Sequence, residues 1–360
     1  MNSLASLLDQ HVRSHPELEL QDAIKFLYQS CMGPSHLALD PQAAQDWVEA
    51  EWADVAGDAD VPPIEPLGGG LCRLSLAACK GQGLEPSTLA ALFLETAQTV
   101  TPNRQELENS LKLLYNLPFP RDEIDQTLEA YRAAGMPSVH HSARYRKAYA
   151  PAYRVVEQDL ARLLPLLSAI DRHLRNHPQT LVALDGPCAT GKTTLGGFLS
   201  RLYHCPLFHM DDFYLPPERK TAQRLAQPGG NVDAERFFME VLSPLSQGKV
   251  VRYRPYRCHP STLGDEVVVS PASLAVVEGV YALRPDLRSY YHIKCFLEAP
   301  WSTRRTRLLN RNGAEGLDRF EKLWIPLEDA YFRAFPIRQE CDVVLNNQNH
   351  PLNGWFEQAL

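Results

Sequence analysis

The stretch LVALDGPCATGKTTL, Leu181 to Leu195, decides the fold of the second half of this chain. It contains the spacing G-x-x-x-x-G-K-T, with Gly186, Gly191, Lys192 and Thr193 at the defining positions. The apolar run at its start has the length of a strand, and the residues after Thr193 repeat apolar side chains at helical spacing. Because the glycines lie between a strand and a helix, the pattern predicts a phosphate-binding loop.

Each conspicuous residue of this loop has a physical role in holding a nucleotide. Gly186 and Gly191 allow the backbone to curl so that successive N–H groups face phosphate oxygens. The N-terminus of the following helix adds its positive end. Lys192 is expected to reach the β- and γ-phosphates, and the Thr193 hydroxyl is expected to ligate Mg²⁺. The predicted cofactors are therefore ATP and Mg²⁺.

Composition places the chain among ordinary globular proteins. Its 360 residues are enough for two domains, and its contents of 44% hydrophobic and 22% charged residues are typical. The formal net charge of −7 argues against a general nucleic-acid binder, which usually has a basic excess, although it leaves room for a local basic cleft. No apolar run approaches the ~20 residues that span a membrane, so no membrane partner is expected.

The cysteines and the N-terminus both favour a cytoplasmic location. The chain has eight cysteines, none in a C-x-x-C pair: Cys31, Cys72, Cys79, Cys188, Cys205, Cys258, Cys295 and Cys341. We interpret them as reduced thiols and expect no zinc site. The first twenty residues carry acidic side chains and lack the apolar core of a signal peptide.

The first half is predicted to be a mainly α-helical domain over residues 1–174. A second domain, which contains the phosphate loop, is predicted over residues 175–360. Apolar spacing predicts several helices in it, among them one long amphipathic helix from Val155 to His173. The segment Asp54 to Gly70 is rich in proline, glycine and acidic residues and predicts a loop. The turn Arg175 to Thr180 is the expected boundary. The role of this half stays open at this point.

Two patches of the first half are unusual. In Tyr28 to Leu37, a Gly-Pro pair breaks a helix and exposes Ser35 and His36. The segment Val139 to Val156 is dense in histidine, arginine and tyrosine. It could form an anion pocket or a base-stacking surface. The alternative is a solvated helix face whose tyrosines dock onto the other domain.

Acidic residues follow two buried strands of the second half. Pro206 to His209 is predicted as a short strand with Asp211 and Asp212 just beyond it. A longer apolar run ends at Glu278. In a doubly wound sheet, ligands bind at the carboxyl ends of the strands. An acid there can act as a base for an incoming hydroxyl or can hold Mg²⁺, the role expected of Glu278.

Further polar residues are candidates for binding the acceptor or the nucleotide. Asp233 or Asn231 is expected to cap a helix from Ala234. Two short predicted strands flank a polar, aromatic turn suited to substrate recognition, which contains Arg254, Tyr256, Arg257 and His259. A later predicted helix carries an arginine cluster that could clamp phosphates, formed by Arg304, Arg305, Arg307 and Arg311.

The order of these motifs resembles the uridine kinase/phosphoribulokinase-like group of P-loop kinases, which includes uridine, nicotinamide riboside and pantothenate kinases. The similar pieces are GPCATGKTT, MDDFY, NVDAERF, YRPYRC, VVEGVYAL, RRTRLLNR and CDVVLNN. They cover about Thr180 to Asn347 and none of the first half. MDDFYLPPE is most similar to the nicotinamide riboside kinases, whereas NVDAERF and the polar turn are more similar to uridine kinases.

The resemblance implies a fold, an activity and a set of site residues. The implied fold is an α/β P-loop NTPase-type parallel sheet with flanking helices, and the implied enzyme is a phosphotransferase acting on an alcohol group. The implied catalytic residues are Asp211 as general base, Lys192 and Glu278; Thr193, Asp211 and Glu278 would hold the metal. Nucleotide contacts would come from Gly186, Pro187, Cys188, Ala189, Thr190, Gly191, Lys192, Thr193, Thr194, Arg304 and Arg311. Acceptor contacts would come from Asp212, Tyr214, Asp233, Tyr256 and His259.

Three functions are compatible with these patterns. The first is a small-molecule kinase with a nucleoside-like acceptor, because Asp212 favours polyhydroxy or cationic acceptors over an anion such as pantothenate. The second is a nucleotide-dependent regulator whose first half binds RNA or a partner. The third is a bifunctional enzyme with a second site around His36 and His141. The presence of Asp211 and Glu278 favours the kinase, since a switch needs no acceptor base. The oligomeric state stays open.

Overall fold

The computed structural model describes residues 3–37, 40–258 and 260–348. Contacts between residues divide the chain into two compact units, Met1–Ser168 and Ala169–Leu360. The two units are described separately below, and the domain boundary near residue 174 stays a prediction.

The N-terminal unit is mainly helical, as predicted. Its helices are α1 (Leu4–Ser14), α2 (Leu20–Met32), α3 (Pro41–Asp54), α4 (Leu76–Gly81), α5 (Pro86–Thr99), α6 (Arg104–Ser110), α7 (Arg121–Ala133), α8 (Ala143–Tyr149), α9 (Gln158–Ala161) and α10 (Leu164–Asn176), the last of which crosses the division. Short 3₁₀ segments cover Ser35–Leu37 and Leu111–Asn116. Leu8, Phe26, Leu107 and Ile124 lie in one buried apolar cluster, so α1, α2, α6 and α7 share a core.

This unit also contains an antiparallel sheet that the sequence patterns did not predict. Its strands are β1 (Ile64–Gly68), β2 (Leu71–Ser75) and β3 (Tyr153–Glu157), in that order across the sheet. The loop predicted over Asp54 to Gly70 is therefore wrong for Ile64–Gly68, which form β1, whereas Gly69 and Gly70 form the turn that leads to β2. The helix predicted from Val155 is also wrong at its start, because residues 155–157 pair with β2. β2 and β3 pair across about 80 residues of sequence, which local spacing does not show, and β1 forms by pairing with the neighbouring β2.

The second unit alternates strands and helices. Its strands are β4 (Thr180–Asp185), β5 (Leu207–His209), β6 (Val251–Tyr253), β7 (Tyr256–Arg257), β8 (Thr262–Leu263), β9 (Val267–Val269), β10 (Leu274–Glu278), β11 (Ile293–Glu298) and β12 (Val343–Asn346). Its helices are α11 (Lys192–Leu202), α12 (Ala222–Leu225), α13 (Ala234–Phe237), α14 (Ser243–Ser246), α15 (Trp301–Arg319) and α16 (Ile325–Ala334). π-helical segments Phe238–Leu242 and Phe320–Trp324 and 3₁₀ segments Met210–Phe213, Pro217–Arg219, Arg288–Tyr290 and Ile337–Glu340 link them.

Five of these strands form one parallel sheet in the order β12-β11-β4-β10-β5. Every residue of β4 and β10 is buried, as expected for strands covered on both faces. Side chains that include Phe208, Phe213, Phe237 and Tyr331 pack into a single apolar cluster against the sheet. The predicted fold class, a P-loop-type parallel sheet with flanking helices after a mainly helical region, is confirmed.

Within the described ranges, no helix combines the length and the apolar character that crossing a membrane requires. The cytoplasmic location stays a prediction.

Helix α10 supplies a test of where the second unit begins. The Tyr203 hydroxyl donates to Asp171 Oδ1 at 2.8 Å, and His173 Nδ1 lies 2.8 Å from Thr180 Oγ1. We expect a fragment starting at Leu164 to melt at least ~4 °C above one starting at Arg175, since each lost hydrogen bond contributes about 1 kcal/mol. Equal melting temperatures in calorimetry would show that α10 adds nothing to the second unit.

Candidate active site

The register of the parallel sheet brings three strand ends to one edge. Glu278 at the end of β10 pairs with Leu184 of β4 on one side and with His209 of β5 on the other. The segments that follow β4 and β5 therefore begin beside the Glu278 carboxylate. These segments are the predicted phosphate loop and the acidic pair Asp211-Asp212, so the fold assembles the residues that the sequence predicts for one site.

The phosphate loop has the curled backbone that its glycines suggest. Gly186, Ala189 and Gly191 adopt φ values of 141°, 59° and 96°. A Cβ atom at Gly186 would overlap the carbonyl oxygen of Leu297 on β11, so only glycine fits there. Left-handed residues among right-handed ones turn successive N–H groups towards a common centre, where an anion binds. Helix α11 begins directly at Lys192, which places its positive end at the same centre.

Side chains from distant segments hold this loop through its carbonyl oxygens. Arg304 Nε donates to Cys188 O at 2.8 Å, and Arg307 Nη1 donates to Ala189 O at 3.1 Å. Asn347, just beyond β12, donates through Nδ2 to Thr190 O at 2.8 Å. The sequence analysis predicts that Arg304 contacts the nucleotide. In the structure the buried Arg304 contacts the phosphate loop itself. The sequence analysis named Arg307 only as a member of the arginine cluster and included Asn347 only as the last residue of CDVVLNN.

An acidic residue that the sequence analysis missed also contacts the loop. Glu328, on α16, is buried, and its Oε2 accepts a hydrogen bond from the Cys188 N–H at 2.9 Å. Arg304 Nη2 lies 3.5 Å from the same oxygen. Burial raises the pKa of Glu328, and the Cys188 N–H and the nearby Lys192 charge oppose that rise. Glu328 therefore ties the loop to α16 through a backbone donor.

Asp185 fixes the point where β4 turns into the loop. Its fully buried carboxylate accepts from the N–H groups of Gly186 at 2.6 Å and Leu283 at 2.9 Å, and from the Tyr331 hydroxyl at 2.9 Å. Burial is the largest influence and raises the pKa of Asp185 to about 6. Three donors satisfy this carboxylate, so its role is to position the loop.

Lys192 lies inside the loop and is buried. Its Nζ donates to Gly186 O at 2.8 Å and to Pro187 O at 3.0 Å. An ammonium has three donors, so one is left for a phosphate oxygen while the other two brace the loop. This position agrees with a residue that serves a bound anion.

Thr193, Glu278 and His209 form a connected group at the sheet edge. The Thr193 hydroxyl donates to Glu278 Oε1 at 3.0 Å, and His209 Nδ1 lies 2.6 Å from the same oxygen. This hydrogen bond with Glu278 is the main cause of a raised pKa for His209, and burial opposes it. The sequence analysis missed His209, although it directly precedes the acidic turn.

Asp211 lies beside this group on an exposed turn. The Tyr214 hydroxyl donates to Asp211 Oδ1 at 3.0 Å. Desolvation by the surrounding protein is the main cause of a raised pKa for Asp211, followed by the negative charge of Glu278. The Tyr214 hydrogen bond and the Lys192 charge oppose that rise. Because the residue keeps an exposed surface, water reaches the carboxylate and limits its desolvation.

The other predicted contact residues have separate surroundings. Asp233 caps α13 through the Arg236 N–H at 3.2 Å and pairs with Arg219, so its carboxylate already has two partners. Tyr256 is buried on β7, which contacts the 210–213 turn. Arg311 donates to Asn312 Oδ1 at 2.9 Å on an exposed part of α15. His259 lies outside the described residues.

Comparisons with known proteins give structural neighbours. No protein-family profile and no curated protein matches the chain. A candidate fructose transport system kinase from Silicibacter sp. TM1040 is 23% identical, covers 51% of this chain and 97% of its own, and has a TM-score of 0.41. A candidate uridine kinase from Bacillus stearothermophilus is 20% identical over 50% of this chain and 98% of its own, with a TM-score of 0.37.

A shikimate kinase from Bacteroides thetaiotaomicron is 14% identical over 50% of this chain and 95% of its own, with a TM-score of 0.26. Each neighbour is similar to about half of this chain. The resemblance to P-loop kinases that the motifs predict is thus also found among solved structures, a candidate uridine kinase among them. The fold itself is established by the parallel sheet and the curled loop after β4.

A substitution at Gly186 tests whether the loop depends on this close approach. Gly186→Ala should destabilise the fold by about 3 kcal/mol or more and abolish ATP binding, because the methyl group overlaps Leu297 O at a φ that alanine rarely adopts. Chemical denaturation and titration calorimetry with ATP measure the two effects.

The matched control is Gly197→Ala on α11, where a Cβ would meet no atom within 4 Å. It should leave ATP binding intact and stabilise the helix by up to about 1 kcal/mol. If both variants bind ATP like the wild type, the loop does not depend on a glycine at position 186.

Proposed function

We propose that this chain is an ATP- and Mg²⁺-dependent kinase that transfers the γ-phosphate to a hydroxyl of a small, nucleoside-like molecule. The observation that carries the proposal is the position of the Asp211 carboxylate. It lies at the same sheet edge as the phosphate loop and the Thr193–Glu278 pair. A phosphate loop alone would only bind a nucleotide, whereas an acid beside it supplies the base that an acceptor needs.

The residues at this edge fit the predicted cofactors. The loop between Gly186 and Thr194 would hold the phosphates of ATP through Lys192 and through the backbone N–H groups that Asp185 and Glu328 do not already occupy. The Thr193 hydroxyl and the carboxylates of Glu278 and Asp211 are oxygen donors, which Mg²⁺ prefers. Bound there, Mg²⁺ would offset the negative charge of the phosphate oxygens.

Positioning is the main contribution of the protein to phosphoryl transfer. The loop is rigidly held by Arg304, Arg307 and Asn347, so its N–H groups need no rearrangement when phosphate arrives. The hydrogen bonds of Lys192 to Gly186 O and Pro187 O hold its ammonium group inside the loop. Preorganised donors of this kind stabilise charge that spreads over the phosphate oxygens during transfer.

Asp211 would orient the hydroxyl of the acceptor and accept its proton. Tyr214 holds one carboxylate oxygen through its own hydroxyl, which leaves Asp211 Oδ2 for the acceptor. The neighbouring Asp212 is not expected to share this role, because the side chains of adjacent residues point in different directions. The Asp212 backbone oxygen accepts from Arg236 Nη2 at 2.8 Å. We therefore assign the base to Asp211 and acceptor recognition to Asp212.

Aromatic and acidic side chains near Asp211 support a nucleoside-like acceptor. The rings of Tyr214 and Trp324 pack 5.6 Å apart, so the surroundings of Asp211 are aromatic. The carboxylates of Asp211, Asp212 and Glu278 would repel an anionic acceptor such as pantothenate and attract hydroxyl donors or a cationic riboside.

The regulatory alternative has less support in the structure. In the segment that suggested RNA or partner binding, Arg144 pairs with Glu17 and Arg154 with Glu51. Tyr145, Tyr149 and Tyr153 pack within the N-terminal unit itself. Acidic partners offset these arginine charges, which weakens the case for a basic nucleic-acid surface.

Substitution of the two adjacent acids tests the proposal. An ATP-consumption screen with nucleosides, nicotinamide riboside, pantothenate and sugar alcohols first identifies the acceptor. Asp211→Asn should then lower kcat by ~10²-fold or more, the scale of a general base, with little change in ATP affinity. Asp212→Asn, the matched control, should mainly raise KM for the acceptor.

The pH profile gives an independent readout. The base must be ionised, and the pKa of Asp211 is raised, so kcat/KM should fall with decreasing pH at values above the usual carboxyl pKa of ~4. Asp211→Asn should remove this acidic limb. The assignment fails if Asp212→Asn is the variant that loses kcat, or if neither variant does.

A further inference from the structure

The N-terminal unit contains a cavity of about 540 Å³ that the proposed kinase chemistry does not use. Two histidines and one carboxylate are part of its lining: His11, His15 and Glu65. Prolines and apolar side chains form much of the remaining wall. The three polar side chains therefore border a space that is large enough for a small molecule or a hydrated ion.

These three side chains have the composition and the spacing of a metal-ligand set. One nitrogen or oxygen atom from each of them lies within 4.8 Å of the other two. The ligand atoms of a tetrahedral zinc ion lie about 3.3 Å apart, since the bonds from the metal to nitrogen and oxygen are about 2.0–2.1 Å long. Side-chain movements of about 1 Å would therefore close the set around an ion.

The two histidines come together through their spacing along α1. His11 lies on this helix, and His15 directly follows its last residue. Residues four apart are neighbours on a helix surface, which is the spacing at which paired histidines bind zinc. The centres of the two rings accordingly lie 4.4 Å apart. Glu65 reaches the pair from β1, and its Oε1 lies 2.6 Å from His11 Nδ1.

Outer hydrogen bonds orient two of the three side chains, as they do around bound metals. His15 Nδ1 lies 2.8 Å from the carbonyl oxygen of His11, which can only accept, so Nδ1 carries the proton. The Nε2 atom of a neutral His15 then keeps its lone pair and is the nitrogen that can bind a metal. Arg73 Nη1 donates to Glu65 Oε2 at 3.0 Å, which leaves Oε1 as the oxygen beside His11.

Arg73 also determines which class of metal ion fits. Its buried guanidinium offsets the negative charge of Glu65 across their ion pair. Mg²⁺ and Ca²⁺ depend on several oxygen ligands, so a single offset carboxylate suits them poorly. Imidazole nitrogens instead favour zinc and similar transition-metal ions.

The contact between Arg73 and His11 does not oppose metal binding through His11 Nδ1. A neutral His11 that binds a metal through Nδ1 carries its proton on Nε2. Nε2 lies 3.4 Å from Arg73 Nη1, which is longer than an ordinary hydrogen bond. Little is therefore lost when Nε2 becomes the protonated nitrogen.

We propose that His11, His15 and Glu65 bind a zinc-type divalent ion with an open coordination position towards the cavity. Two histidines and one glutamate are a donor set of catalytic zinc sites, whereas structural sites are closed by four protein ligands. The fourth position is open to water or to an oxygen atom of a small molecule in the cavity. The expectation of no zinc site rested on cysteine spacing, and this set contains no cysteine.

The second site that the sequence suggested around His36 and His141 involves different residues. His36 packs edge-on against Tyr28 with ring centres 5.4 Å apart. The two ring nitrogens of His141 lie 2.9 Å from Asp22 Oδ1 and 2.6 Å from the Tyr153 hydroxyl, so both already have partners. Neither histidine belongs to the metal-ligand set.

Equilibrium dialysis of the full-length protein against Zn²⁺ tests the proposal. The protein carries no affinity tag, nucleotide is left out, and excess Mg²⁺ occupies sites made of oxygen ligands alone. We expect one strongly bound Zn²⁺ per chain. His15→Gln and Glu65→Gln should each weaken its binding at least ~10-fold, because each variant removes one ligand.

His177→Gln is the matched control. His173 and His177 are also four residues apart, with ring centres 4.0 Å from each other, but within the described part of the chain they belong to no metal-ligand set. The affinity for Zn²⁺ should therefore be unchanged in this variant. Circular dichroism checks the fold of all three variants.

Chemical modification of the wild type keeps the test decisive even if a ligand variant does not fold. Zn²⁺ should suppress the reaction of His15 with diethyl pyrocarbonate and leave that of His177 unchanged, as measured by peptide mass spectrometry. The proposal is overturned if the wild type binds no Zn²⁺ under these conditions, or if Zn²⁺ protects the two histidines equally. It is also overturned if either folded ligand variant binds Zn²⁺ as the wild type does.

Discussion

The close approach of Gly186 to the Leu297 carbonyl is the constraint on which the second unit depends. It requires a residue without a Cβ where β4 leaves the sheet, and it sets the loop against β11. Asp185 anchors the start of the loop, and Glu328 and Arg304 bind it at Cys188. A loop held at several points presents its N–H groups without reorganisation, which is what binding a phosphate needs.

The parts of the site that depend on local order were predictable from the sequence. The loop, the Thr193 hydroxyl and the acids after β5 and β10 follow from strand ends that share one edge of a parallel sheet. The contribution of Glu328 was not predictable, because it depends on how α16 packs against a loop 140 residues earlier in the chain. The contact of Asn347 with the loop was not predictable for the same reason, since its partner Thr190 is 157 residues away in the sequence.

The N-terminal unit shows the limit of pattern reasoning more clearly. Its helices were predictable from apolar spacing, but β2 pairs with β3 about 80 residues later in the chain. β1, which pairs with the neighbouring β2, lies in a stretch rich in proline and glycine that predicts a loop. The density of histidine and tyrosine near residue 145 was visible, yet its meaning depends on Asp22, which lies 119 residues before His141. Contacts between such distant residues form the hydrogen bonds that connect Asp22, His141 and Tyr153, and composition alone does not show them.

Titration calorimetry of ATP with Mg²⁺ into the wild type and Lys192→Ala tests the central claim most directly. The account predicts one nucleotide bound per chain, and a loss of at least ~10-fold in affinity for the variant, whose fold circular dichroism should show to be intact. Equal affinity in the two proteins, or no binding to the wild type, would contradict the claim that this loop binds phosphate.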